Sequence, residues 1–314
     1  MTKVLVTGAT GFIGKALVHA LNQQAFDVVA VVRHISQLVS EQQIELGDLS
    51  STTEYTDALQ DVDVVIHLAA RAHIMHDTAS DPLAEFRQVN TAATLNLAIQ
   101  AAEAGVKRFI FISSIKVNGE QTAPNSPFQE QVASPPIDPY ALSKYEAEHG
   151  LMSLAQCSAM QVVIIRPPLV YGPGVKANFA SMINWLIKGI PLPFGAIDNK
   201  RSLIALDNLL NFIMLCITHP KAANETFLIS DQEDVSTTQL LQKITKAFNK
   251  NTLLLPVPVS WMRFTGMLSG KQDVADRLFA SLQVDSSKAT DLLGWLPVSN
   301  MHEQLKKIAA FYST

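Results

Sequence analysis

The chain has 314 residues, 48% of them hydrophobic and 17% charged, with Lys+Arg 24 against Asp+Glu 28. That apolar content excludes a disordered chain, and a net charge of -4 supplies no basic field for a nucleic-acid backbone, so nucleic acid is not an expected partner. Cys157 and Cys216 have no CxxC spacing, which excludes a disulfide framework, fits a reducing compartment and reads as two buried thiols.

The opening segment MTKVLVTGATGFIG is apolar but lacks a cleavage pattern, and no apolar run approaches the roughly 20 residues of a membrane span. A cytoplasmic protein with no membrane partner is expected. Val4 to Thr7 reads as the first strand, followed by a glycine turn and an amphipathic helix. In this GxxGxxG spacing Gly8 permits the tight turn, Gly11 lets backbone approach a pyrophosphate, and Gly14 lets the helix pack on the sheet. The helix N-terminus then faces the anion, so a nicotinamide dinucleotide is the expected cofactor.

The second strand, Val28 to Val32, ends at Arg33, where an NAD-preferring site carries Asp or Glu. A guanidinium accepts a 2′-phosphate, which favours NADP over NAD, though an exposed loop arginine would look the same. A short strand at Ile44 to Leu46 leads to Asp48, placed to reach the adenine amino group or simply to cap a loop. Val62 to His67 is the next strand, and the small residues Ala69 and Ala70 after it leave room for the cofactor. His67, His73 and His76 have no Cys or carboxylate cluster beside them, so no metal site is expected. Arg71 and His73 fall in a loop that can line a substrate pocket.

A helical pattern spans Leu83 to Gly105 and includes Asn90, either a brace for the active-site backbone or a solvated side chain. Arg108 to Ser113 is a strand that delivers Ser113 and Ser114 to the carboxyl edge of the sheet. The helix Tyr140 to Ala155 opens with YALSK, which sets Tyr140 and Lys144 one turn apart on one face. An adjacent ammonium lowers a phenol pKa, so Tyr140 can exchange a proton with a substrate hydroxyl, Ser113 or Ser114 can hold the reacting oxygen, and Lys144 can reach the cofactor ribose. Val162 to Arg166 completes a set of apolar runs joined by helices, the pattern of an α/β doubly wound parallel sheet.

Beyond Pro167 and Pro168 the texture changes, with Gly and Pro recurring through PPLVYGPG and KGIPLPFG. Residues 1–167 are read as a Rossmann domain and 168–314 as a smaller α/β substrate lobe whose elements can cross back to the sheet. Its predicted helices are Phe179 to Lys188, Asp207 to Thr218, Thr237 to Asn249 and Met301 to Tyr312, and its predicted strands are Thr226 to Ile229 and Leu253 to Pro256. Trp185, Trp261 and Met262 read as core.

TGATGFIG, GDLS, HLAAR, FISSIKVNG, YALSK and RPPLVYGPG together resemble the extended short-chain dehydrogenase/reductase superfamily, in its nucleotide-sugar epimerase and reductase branch, across essentially the whole chain. The resemblance implies Ser114, Tyr140 and Lys144 as the catalytic set. It implies cofactor contacts from Gly8, Gly11, Phe12, Ile13, Gly14, Arg33, Asp48, Leu49, Leu68, Ala69, Ala70, Lys144 and Pro167. It implies UDP-sugar contacts from Arg71, Ser114, Asn178, Arg201 and, at a shorter offset than the family's, Arg277. A homodimer, with the helices Leu83 to Gly105 and Tyr140 to Ala155 packed across the two-fold, is also implied. Ile115 and Lys116 stand where related 4,6-dehydratases carry an Asp and Glu pair, which argues against sugar dehydration. Asn118 stands where many epimerases have Tyr. The leading expectation is a 4-epimerase of UDP-glucose or a UDP-N-acetylhexosamine. An NADPH-dependent 4-keto reductase of a UDP-deoxyhexosamine uses the same residues in one direction, and a non-catalytic NADP-binding redox sensor would have no need of Tyr140.

Overall fold

A computed structural model of the protein describes residues 1–35, 42–71, 81–268 and 278–313. Seven parallel strands form its main sheet: β1 (Lys3–Thr7), β2 (Asp27–Val32), β3 (Gln42–Glu45), β4 (Val64–His67), β5 (Arg108–Ile112), β6 (Gln161–Arg166) and, after a short pair described below, β9 (Glu225–Leu228). They lie in the order β3-β2-β1-β4-β5-β6-β9. Alternate residues of a strand face opposite layers, and here both layers are apolar. Val4 and Val6 pack with Leu17 and Leu21 of α1 (Phe12–Gln23), whereas Leu5 packs with Leu97 and Ala147 from helices on the other face. The chain order reverses beside β1, which pairs with β2 on one side and β4 on the other. That opens a crevice at the carboxyl ends of β1 and β4, where ligands of such sheets bind.

The predicted helix Leu83 to Gly105 is divided into α2 (Pro82–Phe86), a π-helical turn (Arg87–Ala92) and α3 (Ala93–Glu103). Hydrophobic periodicity does not register one inserted residue, which is all a π-turn needs. Inside it Asn90 is fully buried, not solvated. The next helix, α4, runs from Pro139 to Cys157, with the Asp138 carboxylate accepting the Ala141 N–H as its N-cap.

After β6 the chain forms a separate parallel pair, β7 (Leu169–Tyr171) and β8 (Leu203–Ala205), and helices α5 (Ala177–Ile187), α6 (Leu206–Thr218), α7 (Thr237–Ala247), α8 (Val259–Leu268), α9 (Ser287–Leu293) and α10 (Met301–Phe311). Tyr171, Phe179, Ile183, Leu203, Leu240 and Met301 share the core of this lobe. Neither β7 nor β8 was predicted, because strands of three residues are too short to carry a periodic signal. The predicted strand Leu253 to Pro256 is instead an extended segment with one bridge, Leu192 to Leu254. β9 crosses the residue-167 boundary and pairs with β6, and α6 packs on the sheet through Phe212 and Ile213.

Three expectations of burial are corrected. Cys157 is exposed because it ends α4 beyond the buried stripe that stops at Leu151, and Cys216 alone is buried. Trp185 and Trp261 are exposed, while Met262 is buried.

Candidate active site

The glycine turn forms a cradle that only small residues allow. Gly8 has φ +68°, and a Cβ there would lie 2.7 Å from the Ala69 amide nitrogen. A Cβ at Gly14 would collide with the Gly8 carbonyl oxygen. Gly11 N-caps α1 without a side chain, and the first turn has no acidic residue, so its amides and dipole are open to an anion. Phe12, Ile13 and Leu68 pack against the sheet core behind this turn, and Leu49 packs on the opposite layer. Ser113 Oγ, at the end of β5, is buried with no hydrogen-bond partner among the described residues. An orphaned donor beside a side-chain-free cradle fits a dinucleotide. At the outer end Arg33 Nε pairs with Asp48 Oδ1 at 3.2 Å, with both side chains largely exposed.

Ser114 ends β5 in extended conformation, and its Oγ accepts the Lys116 N–H at 3.2 Å. It also hydrogen-bonds Tyr140. The Ile115 N–H donates to the Pro167 carbonyl at 3.0 Å, which locks the ends of β5 and β6 together. Lys144 is only 1% exposed, donates to the Ile112 carbonyl at 3.1 Å, and lies 4.4 Å from the Phe111 ring centre. Burial depresses its pKa to about 7, opposed by the nearby Glu148 charge. The expected lowering of the Tyr140 pKa is not what the fold provides: burial raises it to about 12, with the Ser114 hydrogen bond opposing and the Asp138 charge adding. In this state Tyr140 is a proton donor.

Two buried assemblies escaped sequence reasoning. The first runs from the glycine strand to the catalytic helix. Ala69 N–H donates to Thr7 Oγ1 at 3.2 Å, Thr7 Oγ1 and His67 Nδ1 are 2.7 Å apart, His67 Nε2 and Thr94 Oγ1 are 2.9 Å apart, and Thr94 donates to the Asn90 carbonyl at 2.7 Å. Because the Thr94 proton is committed to Asn90, His67 must donate from Nε2 and accept at Nδ1. It is a neutral imidazole, its pKa lowered to about 3 by burial and by the Lys144 charge. The Asn90 amide continues to Arg71 N–H and carbonyl and to Ser143 Oγ, which donates to the Tyr140 carbonyl. The second assembly is an ion pair beneath α4, in which Arg166 Nη2 meets Glu148 Oε2 at 2.6 Å, with the two side chains 6% and 4% exposed. Arg166 Nη1 also donates to Asn118 Oδ1 and the Glu130 carbonyl. Glu148→Gln removes the charge that holds the Lys144 pKa up. The alkaline limb of the kcat/KM pH profile is therefore expected to move to lower pH, and an unmoved limb would detach Lys144 ionisation from turnover.

The remaining predicted residues sit on the rim or the second lobe. Arg71 pairs with Glu85 at 3.3 Å and lies over the Phe86 ring, whose other neighbour is Tyr140. Asn178 is exposed in the first turn of α5, directly after Ala177, which is held at φ +56°. Arg201 is half-buried, its backbone bridged to Val235 and Leu282 and its Nη1 on the Ala280 carbonyl at 3.3 Å. Arg277, His73 and His76 lie outside the described residues. Ile115 is buried with Leu228, and Lys116 pairs with Glu120, so no carboxylate occupies the position where dehydratases keep theirs. Among the described residues no group of three or more His, Cys, Asp or Glu could hold a metal.

The sequence model of the NAD dependent epimerase/dehydratase family matches residues 4–230. The chain belongs to that family. A Vibrio cholerae protein named UDP-glucose 4-epimerase is 50% identical over 308 residues, covering 98% of this chain and 94% of the relative. The fold is similar to that of UDP-N-acetylglucosamine 4-epimerase from Bacillus cereus, with a TM-score of 0.82, 22% identity and complete coverage of both chains. It is also similar to UDP-glucuronic acid 4-epimerase from Bacillus cereus in complex with NAD, with a TM-score of 0.79, 24% identity and 99% coverage of both chains.

Proposed function

We propose that this chain is a UDP-sugar 4-epimerase acting on UDP-glucose and UDP-galactose or on UDP-N-acetylhexosamines. The observation that carries this reading is the gathering of Ser114 after β5 and Tyr140 at the start of α4 around buried Lys144, whose ammonium donates to the Ile112 carbonyl at the carboxyl end of β5. The bound nicotinamide dinucleotide supplies the hydride acceptor and, on return, the hydride donor. As the phenolate, which the Lys144 ammonium and the positive charge of a bound oxidised nicotinamide would favour, Tyr140 takes the proton from the C4 hydroxyl as the C4–H bond breaks, leaving a 4-ketone, and gives that proton back when the other face is reduced. Ser114 holds that oxygen throughout, and Lys144 carries the positive charge that lets Tyr140 release its proton. Asn178 and Arg201, whose neighbours Phe179 and Leu203 share the lobe's core, hold the diphosphate. The reading includes a cytoplasmic homodimer joined through α3 and α4. It is tested by giving purified protein UDP-glucose, then UDP-N-acetylglucosamine, with no cofactor added. Interconversion with the C4 epimer is expected, and strict dependence on added NADPH would overturn it.

Arg33 favours the second reading, a reductase that turns a 4-keto UDP-deoxyhexosamine into its alcohol with Tyr140 donating the proton. Its guanidinium is exposed and paired with a likewise exposed Asp48 at this end of the crevice, so it can turn toward a 2′-phosphate. Arg33→Asp is expected to weaken NADPH binding by about tenfold or more, ~1.4 kcal/mol, and to leave NADH binding nearly unchanged, as read by fluorescence titration. Equal effects on both cofactors would remove Arg33 from the 2′ position.

A further inference from the structure

Trp185, Ile190, Leu253 and Leu255 are exposed apolar side chains on the second lobe, on segments tied together by backbone hydrogen bonds, and Trp261 is exposed six residues beyond Leu255. The local register sets this exposure. Leu254 turns into the lobe core and bridges Leu192, so the alternation of an extended segment turns Leu253 and Leu255 outward. Leu192 N–H donates to the Leu253 carbonyl at 3.0 Å, and Ile190 N–H to the Trp185 carbonyl at 3.3 Å, which ties that segment to the end of α5. At the start of α8, Met262 packs with Ile197 and Phe279 while its neighbour Trp261 is 71% exposed. Trp295, by contrast, is buried with its indole N–H on Asn211.

The charge around this face is one-sided. Acidic residues outnumber basic ones in the chain, yet segments 169–197 and 235–268 contain no Asp or Glu. Their charged residues are Lys176, Lys188, Lys243, Lys246, Lys250 and Arg263. Lys243 is engaged by Glu233, whereas Lys188 and Lys250 are exposed beside the contact between α5 and the extended segment. Exposed indole rings and leucines beside the exposed Lys188 and Lys250 match an anionic bilayer: the rings enter the headgroup boundary and the ammoniums meet lipid phosphates. No helix among the described residues is long and apolar enough to cross a membrane, so the contact is peripheral.

We propose that this face docks the protein on anionic lipid bilayers, with the glycine cradle on the other lobe left free to exchange its ligands. The inference does not depend on which reaction the site performs. The test is flotation of the full chain with phosphatidylcholine vesicles, with and without phosphatidylglycerol. The chain is expected to float only with the anionic vesicles, to shift its tryptophan emission to the blue on binding, and to release as salt is raised. Trp185→Ser with Trp261→Ser is expected to cut the bound fraction by about tenfold, and Lys188→Gln with Lys250→Gln to do the same, with sugar-nucleotide turnover in buffer unchanged in both. Failure of the wild-type chain to float, or equal binding by either double variant, would overturn the proposal. So would an oligomer that dissociates in the tryptophan variant without lipid, since that result assigns the face to a second copy of the chain.

Discussion

Tyr140→Phe is expected to lower kcat for UDP-sugar turnover by about 10³-fold, within the range set by loss of a positioned acid or base. The substitution removes one oxygen and little else. The ring keeps its edge contact with Phe86, 5.9 Å between centroids, and α4 keeps its Asp138 cap. Removing a buried hydroxyl whose partner is Ser114 leaves Ser114 free to rotate, so folding is expected to be unaffected by circular dichroism. Cofactor binding is expected to persist, because Gly8, Gly11 and Gly14 do not touch the phenol. KM is expected to change far less than kcat, since the proton moves only in the chemical step. Turnover at the wild-type rate would remove Tyr140 from the chemical step, and a wild-type chain that binds cofactor yet turns over no sugar nucleotide would be left as a redox sensor.

The second large effect concerns stability. Arg166→Met strands Glu148 in the interior, with the loss of a partner 2.6 Å away, and is expected to cost about 3–5 kcal/mol in urea denaturation at pH 7. The same change removes the donor on Asn118 and on the Glu130 carbonyl, so the segment before α4 loosens with it. Arg166→Met combined with Glu148→Leu is expected to recover most of the loss, because two apolar side chains leave no buried charge. A single variant within about 1 kcal/mol of wild type would mean that water reaches Glu148. The pair also bears on chemistry, since Glu148 is the charge that opposes the depression of Lys144.

What could be read from the sequence was whatever the chain encodes locally. Val4 to Thr7 and Arg108 to Ser113 are apolar throughout because parallel strands are covered on both faces, and the glycine spacing and YALSK each span a single turn. Arg166 and Glu148 are 18 positions apart on a strand and a helix, and nothing in either segment names the other. The role of His67 between Thr7 and Thr94 needs three elements brought together, so neither neighbour could be named from the local sequence. Asn90 was ambiguous because a π-turn is invisible to a 3.6-residue period. The Tyr140 pKa was misjudged for a similar reason: spacing places the lysine, whereas desolvation is a property of the finished fold.

β9 joins the sheet beside β6 although some sixty residues of the other lobe separate them. A growing chain that has emerged only as far as Arg166 therefore carries β6 as a bare edge, its amides and carbonyls unpaired and Phe212 and Ile213 not yet made to cover one layer. Such an edge is a template for pairing with other chains. The Rossmann unit of this protein thus cannot be sealed during synthesis in the order in which it is written, and its vulnerable interval lasts until Leu228 has left the ribosome.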